Sequence, residues 1–167
     1  MHDGLVAEID AFIQGYKTLG TYMPGWNRRD YGNEWQFRVP IEDAHGAQRG
    51  ELCFSVDLPL KYPSIVAIYE GRLIYRVDIT PQNEIEPNPH GAARLHLPSQ
   101  VTGPHAHTWE NNREWCRRNG FLELPFRSQL PVEVDNLTAA LQILAADLNI
   151  MIEPGQWNVK LPPASLV

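Results

Sequence analysis

The sequence predicts an α+β fold, in which an antiparallel β-meander packs against an N-terminal and a C-terminal helix as a two-layer sandwich. Two observations predict it: an apolar pattern of helical period stands near each end of the chain, and segments with alternating apolar residues lie between them. Helices do not alternate regularly with strands, which argues against a doubly wound parallel sheet.

The first predicted element is an amphipathic helix that ends near Gly20, with Asp3 as its N-cap. Its apolar residues recur at helical spacing: Leu5, Ile9, Phe12, Ile13 and Tyr16. Residues 21–33 are rich in Gly, Pro, Asn and Arg, which predicts a loop.

The meander is predicted from four alternating segments: Trp35–Val39, Leu52–Val56, Ile65–Tyr69 and Leu73–Ile79. In the last of these, the alternation puts Arg76 and Asp78 on the face opposite Tyr75 and Val77. One face of the sheet is therefore expected to be buried and the other to carry polar groups.

The region after the meander gives weaker signals. Residues 80–92 predict a loop, and short strands are expected in Arg94–Leu97 and Val101–Trp109. Glu110–Arg118 fits either a hairpin turn and strand or a short helix capped by Thr108; the hairpin is favoured, because Asn119-Gly120 is a tight-turn signal.

The last strong element is a helix from about Asn136 to Asn149, with Asp135 as its expected cap. Its apolar stripe is Leu137, Leu141, Leu144 and Leu148. The tail Gln156–Leu161 is expected to be short and extended.

Composition bounds the function classes. The 167 residues predict one domain over 1–167, and the formal net charge of -6 means that the protein as a whole does not attract polyanions. No apolar run could span a bilayer and no signal peptide is evident, so no membrane association is expected. Cys53 and Cys116 lack a CxxC spacing, which favours reduced thiols and a cytoplasmic location.

Gly103–His107 is the most informative stretch, because His105 and His107 stand two residues apart and share a face of an extended backbone. Paired imidazoles suit zinc, iron or nickel, and Glu110, His90 or His96 could complete the ligands. The residues therefore admit a divalent transition metal as cofactor.

The same histidines also suit acid–base chemistry on a phosphodiester bond. His105 would act as the base and His107 as the acid, with Arg113 or Arg117 holding the phosphate. Asp78 would orient an imidazole or ligate a metal. A third interpretation is structural, with both rings hydrogen-bonded to the backbone of a crowded loop.

One group of residues carries a resemblance. Arg76-Val77-Asp78, Asn88-Pro89, His105–Glu110 and Trp115 resemble a signature of uncharacterised bacterial proteins similar to TumE-like toxin–antitoxin proteins. The similarity covers roughly residues 72–161, but Glu86 stands where that signature has a histidine. It implies a bacterial or phage protein of a toxin–antitoxin-like or phage–host conflict system rather than a particular reaction. RNA is the expected substrate if the protein is an enzyme, and the expected partner is an antitoxin or a target complex.

Two non-catalytic alternatives remain open. The N-terminal helix, the meander and Leu58–Pro63 are similar to bacterial ubiquitin-conjugating-enzyme-like domains, here without a suitable cysteine, which implies an inactive binding domain. The acidic balance also suits an anti-CRISPR-like inhibitor, which would bind a basic nucleic-acid-handling complex. A homodimer is compatible with each of these hypotheses.

A single site requires a specific geometry. The strand through 103–109 should lie beside the strand through 72–79, so that Asp78, His105 and His107 face one cleft. His90 or Glu86 is expected at the rim of that cleft.

Overall fold

The helices and strands are those of a computed structural model, which describes residues 2–21, 25–29, 32–57 and 62–162. In these ranges the helices are α1 (Asp3–Gln14), α2 (Trp109–Asn119) and α3 (Leu137–Asp147). The strands are β1 (Lys17–Leu19), β2 (Asn27–Arg28), β3 (Glu34–Asp43), β4 (Gln48–Asp57), β5 (Tyr62–Tyr69), β6 (Arg72–Asp78), β7 (Ile85–Pro87), β8 (Gln100–Thr102), β9 (His105–His107), β10 (Ser128–Gln129) and β11 (Ile150–Met151).

The meander forms the centre of the sheet. Strands β3, β4, β5 and β6 pair antiparallel in chain order, which confirms the predicted α+β class. The whole sheet runs β10-β9-β6-β5-β4-β3-β1-β11, with β2 paired to β3, and β7 and β8 form a separate hairpin. Because β9 returns beside β6, the His105–His107 segment lies next to the last meander strand.

The core lies between one face of this sheet and the helices. Val39, Leu52, Phe54, Ile65 and Val77 alternate along their strands and are buried in one cluster with the apolar faces of the helices. The helical contribution includes the stripe predicted for the last helix: Leu137, Leu141, Leu144 and Leu148. Burial of this shared apolar surface holds the two layers together. None of the helices in the described ranges has the length and apolar character needed to cross a membrane.

The predicted ends of the outer helices are corrected. α1 stops at Gln14, because Gly15 has an extended backbone and Lys17–Leu19 pairs with β3 as strand β1. Asp3 lies inside the first turn, and His2 is the N-cap residue. At α3 the cap is Asn136 and not Asp135, since the Asn136 side chain accepts a hydrogen bond of 2.9 Å from the Ala139 N–H.

The favoured hairpin over Glu110–Arg118 is wrong, because that segment lies within α2. Thr108 caps the helix by accepting a hydrogen bond of 3.2 Å from the Asn111 N–H. Glu114 forms ion pairs with Arg117 and Arg118, one turn further along. Gly120 has a φ of 97°, so the Asn119-Gly120 signal marks the end of this helix.

The weaker elements also differ from expectation. Ala92–Leu95 is a 3-10 turn and not a strand, while Ile85–Pro87, within the predicted loop, pairs with β8. At the C-terminal end Pro154–Gln156 forms a 3-10 turn, and residues 157–162 form no strand. The pairing of β7 with β8 joins residues that are distant in sequence, so local periodicity carries little information about these two strands.

Asp10 connects α1 to α2. Its carboxylate accepts a hydrogen bond of 2.8 Å from Trp109 Nε1, and bonds of 3.0 Å and 2.6 Å from Arg113 Nε and Nη2. The bond from Arg113 lowers the pKa of Asp10, although partial burial opposes the shift. This connection positions the helix that follows directly after His107.

We expect Asp10→Asn to lower the free energy of unfolding at pH 7 by about 1 kcal/mol, because one charged partner is lost. The folded-state pKa of Asp10 is lowered, so as the pH falls the unfolded chain takes up the proton first, at the ordinary Asp pKa of about 3.9. The difference between the two proteins is present above that pH and shrinks as the pH falls through the folded-state pKa. Urea unfolding at pH 7 and at acidic pH measures both effects. Glu8→Gln, on the same helix, is the matched control, and a gap that does not shrink in acid would contradict the assignment.

Candidate functional site

The site begins with the pairing of β6 and β9. Arg76 lies opposite His107, Val77 opposite Ala106, and Asp78 opposite His105. Val77 and Ala106 face the core, so strand alternation places the other two pairs on the opposite face. The expected neighbourhood of the two strands is confirmed.

Asp78, His105 and His107 converge on a small volume. Asp78 Oδ2 lies 3.4 Å from His107 Nε2 and 3.6 Å from His105 Nε2. One donor atom from each residue lies within 4.8 Å of the others, and all three side chains are buried. Across the described ranges, this is the one cluster of three or more His, Cys, Asp or Glu side chains with such convergence.

Backbone carbonyls determine which nitrogen of each ring carries a hydrogen. His105 Nδ1 lies 2.9 Å from the Gly103 carbonyl, and His107 Nδ1 bonds the Leu124 carbonyl. A carbonyl can only accept, so both Nδ1 atoms must donate, and in a neutral ring Nε2 then carries the lone pair. His105 Nε2 is buried and makes no hydrogen bond. Lone pairs therefore face the Asp78 carboxylate, an arrangement that needs a proton or a cation between them.

Arg76 keeps Asp78 ionised and oriented. Its Nε lies 2.8 Å from Oδ1 and 2.7 Å from Oδ2 of that carboxylate. Burial alone would raise the pKa of Asp78, but a hydrogen bond with His107, which requires a proton on Nε2 of that ring, and the charge of Arg76 outweigh it, and the pKa is lowered. Asp78 is thus a negatively charged carboxylate in a buried place.

A second carboxylate lies at the rim of the site. Glu86 Oε1, on β7, is 3.8 Å from His105 Nε2. Its other oxygen is 3.0 Å from Arg127 Nε. Glu86 therefore occupies the rim position that the sequence assigned to Glu86 or His90, and its charge is balanced by Arg127.

Two asparagine side chains clamp the segment that supplies the Leu124 carbonyl. Asn112, fully buried in α2, donates to the Phe126 carbonyl and accepts from the Phe126 N–H, at 2.9 and 2.8 Å. Asn88 makes the equivalent pair with Arg127, at 2.8 and 2.7 Å. Each amide replaces a missing strand partner, which fixes the backbone bonded to His107. Asn88 was visible in the sequence beside Pro89, whereas no local pattern singled out Asn112.

The turn before β9 depends on Gly103. Its φ of 75° is a conformation that side chains disfavour, and an added Cβ would lie 3.1 Å from Gln82 Oε1 and 3.2 Å from its Cα. The carbonyl of this residue accepts the His105 bond, so the turn and the imidazole are positioned together.

The other predicted site residues lie apart from this cluster. Glu110 is in the first turn of α2 and lines another cleft with Tyr75 and Asp147, and His90 is exposed on the surface. Arg113 is bonded to Asp10, and Arg117 to Asp3 and Glu114, along the α1–α2 side of the molecule. Their predicted roles as metal ligands or phosphate ligands gain no support from this placement.

Comparison with models of protein families, with curated proteins and with solved structures finds no match to this chain. The resemblances to TumE-like proteins and to ubiquitin-conjugating-enzyme-like domains therefore stay predictions. Of the element quoted for the second resemblance, residues 58–61 lie outside the described ranges, and Tyr62 and Pro63 begin β5.

We expect Asn112→Ala to lower the free energy of unfolding by about 2–3 kcal/mol, since the buried N–H and carbonyl of Phe126 lose their partners. Urea unfolding measures the loss, and amide hydrogen exchange at Phe126 should become faster. Asn111→Ala is the matched control, because the Asn111 side chain makes no hydrogen bond within the described residues. Equal stability of the two variants would show that the clamp is unimportant.

Proposed function

We propose that the protein is a hydrolase in which Asp78, His105 and His107 hold one divalent transition-metal ion. One observation carries the proposal: both Nε2 atoms converge on a single carboxylate oxygen, while both Nδ1 atoms are bonded to carbonyls. Metal-ligating histidines commonly have this arrangement, since the outer hydrogen bond sets the tautomer.

The two distances from Asp78 Oδ2 to the imidazole nitrogens fit a tetrahedral ion. Bonds of about 2.0–2.2 Å to nitrogen and oxygen imply ligand atoms roughly 3.3 Å apart. Asp78 Oδ2 lies 3.4 and 3.6 Å from the two nitrogens. The bonds from Arg76 leave carboxylate lone pairs available, and they orient the group as hydrogen bonds to ligating carboxylates do.

Three protein ligands favour a catalytic centre over a structural one, because structural zinc sites have four. An ion of this kind lowers the pKa of a bound water molecule to about 7, which supplies a nucleophile for hydrolysis. Arg76 Nε donates to the ligating carboxylate and holds it in place, and burial of the two histidines excludes bulk water from their nitrogens.

Metal-independent acid–base catalysis by His105 and His107 is the competing mechanism. In the observed arrangement each imidazole uses one nitrogen on a carbonyl and directs the other at Asp78. Neither ring has a nitrogen directed at a substrate, so this mechanism would require the rings to move. A metal ion uses the same geometry without rearrangement.

The resemblance supplies the cellular setting that we propose. It favours a cytoplasmic bacterial or phage protein of a toxin–antitoxin-like system, with a protein partner. The proposed metal centre does not depend on that setting, because it rests on the geometry of β6 and β9.

The test of the metal centre uses full-length protein without a polyhistidine tag. Elemental analysis and calorimetric titration with zinc should give one equivalent for the wild type. We expect Asp78→Asn and His107→Gln to weaken binding by at least about a hundredfold, while His90→Gln, the exposed control, binds normally. Cobalt substitution should give the absorption bands of a tetrahedral ion. A wild type that binds no metal would overturn the proposal.

Activity is tested separately with 4-nitrophenyl esters of carboxylic and phosphoric acids. Chelation should abolish hydrolysis, and one equivalent of metal should restore it in the wild type and in His90→Gln but not in Asp78→Asn. Metal binding without metal-dependent hydrolysis of any ester would leave the ion a structural role and contradict the enzymatic proposal.

A further inference from the structure

A basic cleft opens beside His107 on one side of the proposed centre. It has a volume of about 280 Å³, and its lining includes Arg76, His107, Leu122, Glu123, Pro125 and Arg127. Both arginines thus belong to the site itself, unlike Arg113 and Arg117, which contact α1.

The two arginines present more donors than the described residues accept. Arg76 uses its Nε on Asp78, and its two terminal nitrogens donate to no acceptor among these residues. Arg127 uses Nη1 on the carbonyls of Pro87 and Pro125, and its Nε lies beside Glu86. Its Nη2 also lacks a described acceptor. The N–H groups at these three nitrogens suit an anion with several oxygens, so a phosphate fits them better than a carboxylate does.

An acidic cleft of about 300 Å³ lies on the other side of Arg76. Its lining includes Glu34, Asp57, Asp78, Glu86, Ser55 and Ser64. The carboxylates and hydroxyls there can accept hydrogen bonds from sugar hydroxyls, but the negative charge repels a second phosphate. The clefts on either side of the centre therefore differ in the group that each can hold.

The charges of the site favour an anion once a metal is bound. Arg76 is paired with Asp78 and Arg127 with Glu86, so these four groups balance one another. A divalent ion on Asp78, His105 and His107 would add two positive charges beside the basic cleft, where Glu123 is the one carboxylate among the described residues of the lining. This step rests on the proposed function.

We propose that the substrate is a phosphate ester of mononucleotide size, with its phosphate in the basic cleft and its hydroxyl-bearing part in the acidic cleft. Hydrolysis forms a bond from the water oxygen to phosphorus and breaks the ester P–O bond. The proton that water loses goes to the leaving oxygen, so ester and water give phosphate and alcohol. Together the two clefts, of about 300 and 280 Å³, fall within the roughly 300–1,000 Å³ that ligand sites occupy, which fits one nucleotide unit.

The test measures binding of the phosphonate analogue of adenosine 5′-monophosphate, whose P–C bond is not hydrolysed, to zinc-loaded protein by calorimetry. Adenosine, which lacks the phosphate, should bind at least about tenfold more weakly, and Arg127→Met should lose a similar factor. Leu122→Glu adds a negative charge at a side chain that is 96% exposed, and should also weaken binding. Glu123→Gln removes an opposing charge and should strengthen it. Arg72→Met, at the far end of β6, should change nothing.

Each outcome has a separate meaning. Equal affinity for adenosine and for the phosphonate analogue, or unchanged binding by Arg127→Met, would overturn phosphate recognition in this cleft. A single-stranded RNA hexamer that binds a hundredfold tighter than the mononucleotide would overturn the size assignment and favour RNA. Zinc titration of the wild type and of every variant distinguishes the two proposals. A wild type that binds no zinc would overturn the proposed function. A wild type that binds zinc but does not recognise phosphate would overturn only this inference.

Discussion

Two hydrogen bonds from imidazole Nδ1 atoms to backbone carbonyls determine what the site can do. Gly103 accepts from His105, and Leu124 accepts from His107. If either ring rotated, its Nε2 would no longer face Asp78, and the convergence of the three side chains would be lost. The rest of the site serves these two bonds: the Gly103 turn presents one carbonyl, and the Asn112 clamp holds the segment with the other.

The polar cluster lies within a sheet whose other face is apolar, and both depend on the same strands. Val77 and Ala106 bury their side chains in the core, while their neighbours Asp78 and His105 face the site. Apolar burial therefore fixes the two strand backbones, and this keeps the Nε2 atoms of both imidazoles within 4 Å of the Asp78 carboxylate. Asp78 is stabilised by Arg76 from its own strand, so the buried charge is not left uncompensated.

Local periodicity predicted the meander, the outer helices and the common face of His105 and His107, because each depends on side-chain spacing within one element. It failed for α2 for a specific reason. The buried face of that helix carries Trp109, Asn112 and Cys116, so a polar residue occupies the middle core position. The residue that interrupts the apolar stripe is the one that clamps Phe126, a partner fourteen residues away that spacing cannot indicate. Spacing within one element could not predict the roles of the Leu124 carbonyl and of Arg127 either, because their partners are also distant in sequence. Glu86 could be singled out, because it stands where the TumE-like signature has a histidine.

Because β9 pairs with β6, the site depends on whether a change in chain length shifts β9 by an odd or an even number of residues. Side chains alternate between faces, so a shift of β9 by one residue against β6 would turn both imidazoles toward the helices and bring Ala106 to the position facing Asp78. A change of length in residues 89–98, which connect β7 to β8, leaves the register of β9 on β6 unchanged, because those residues belong to no strand of the main sheet. Homologous chains that keep this chemistry should therefore vary in the length of that connection, yet preserve the count from the turn to the second histidine.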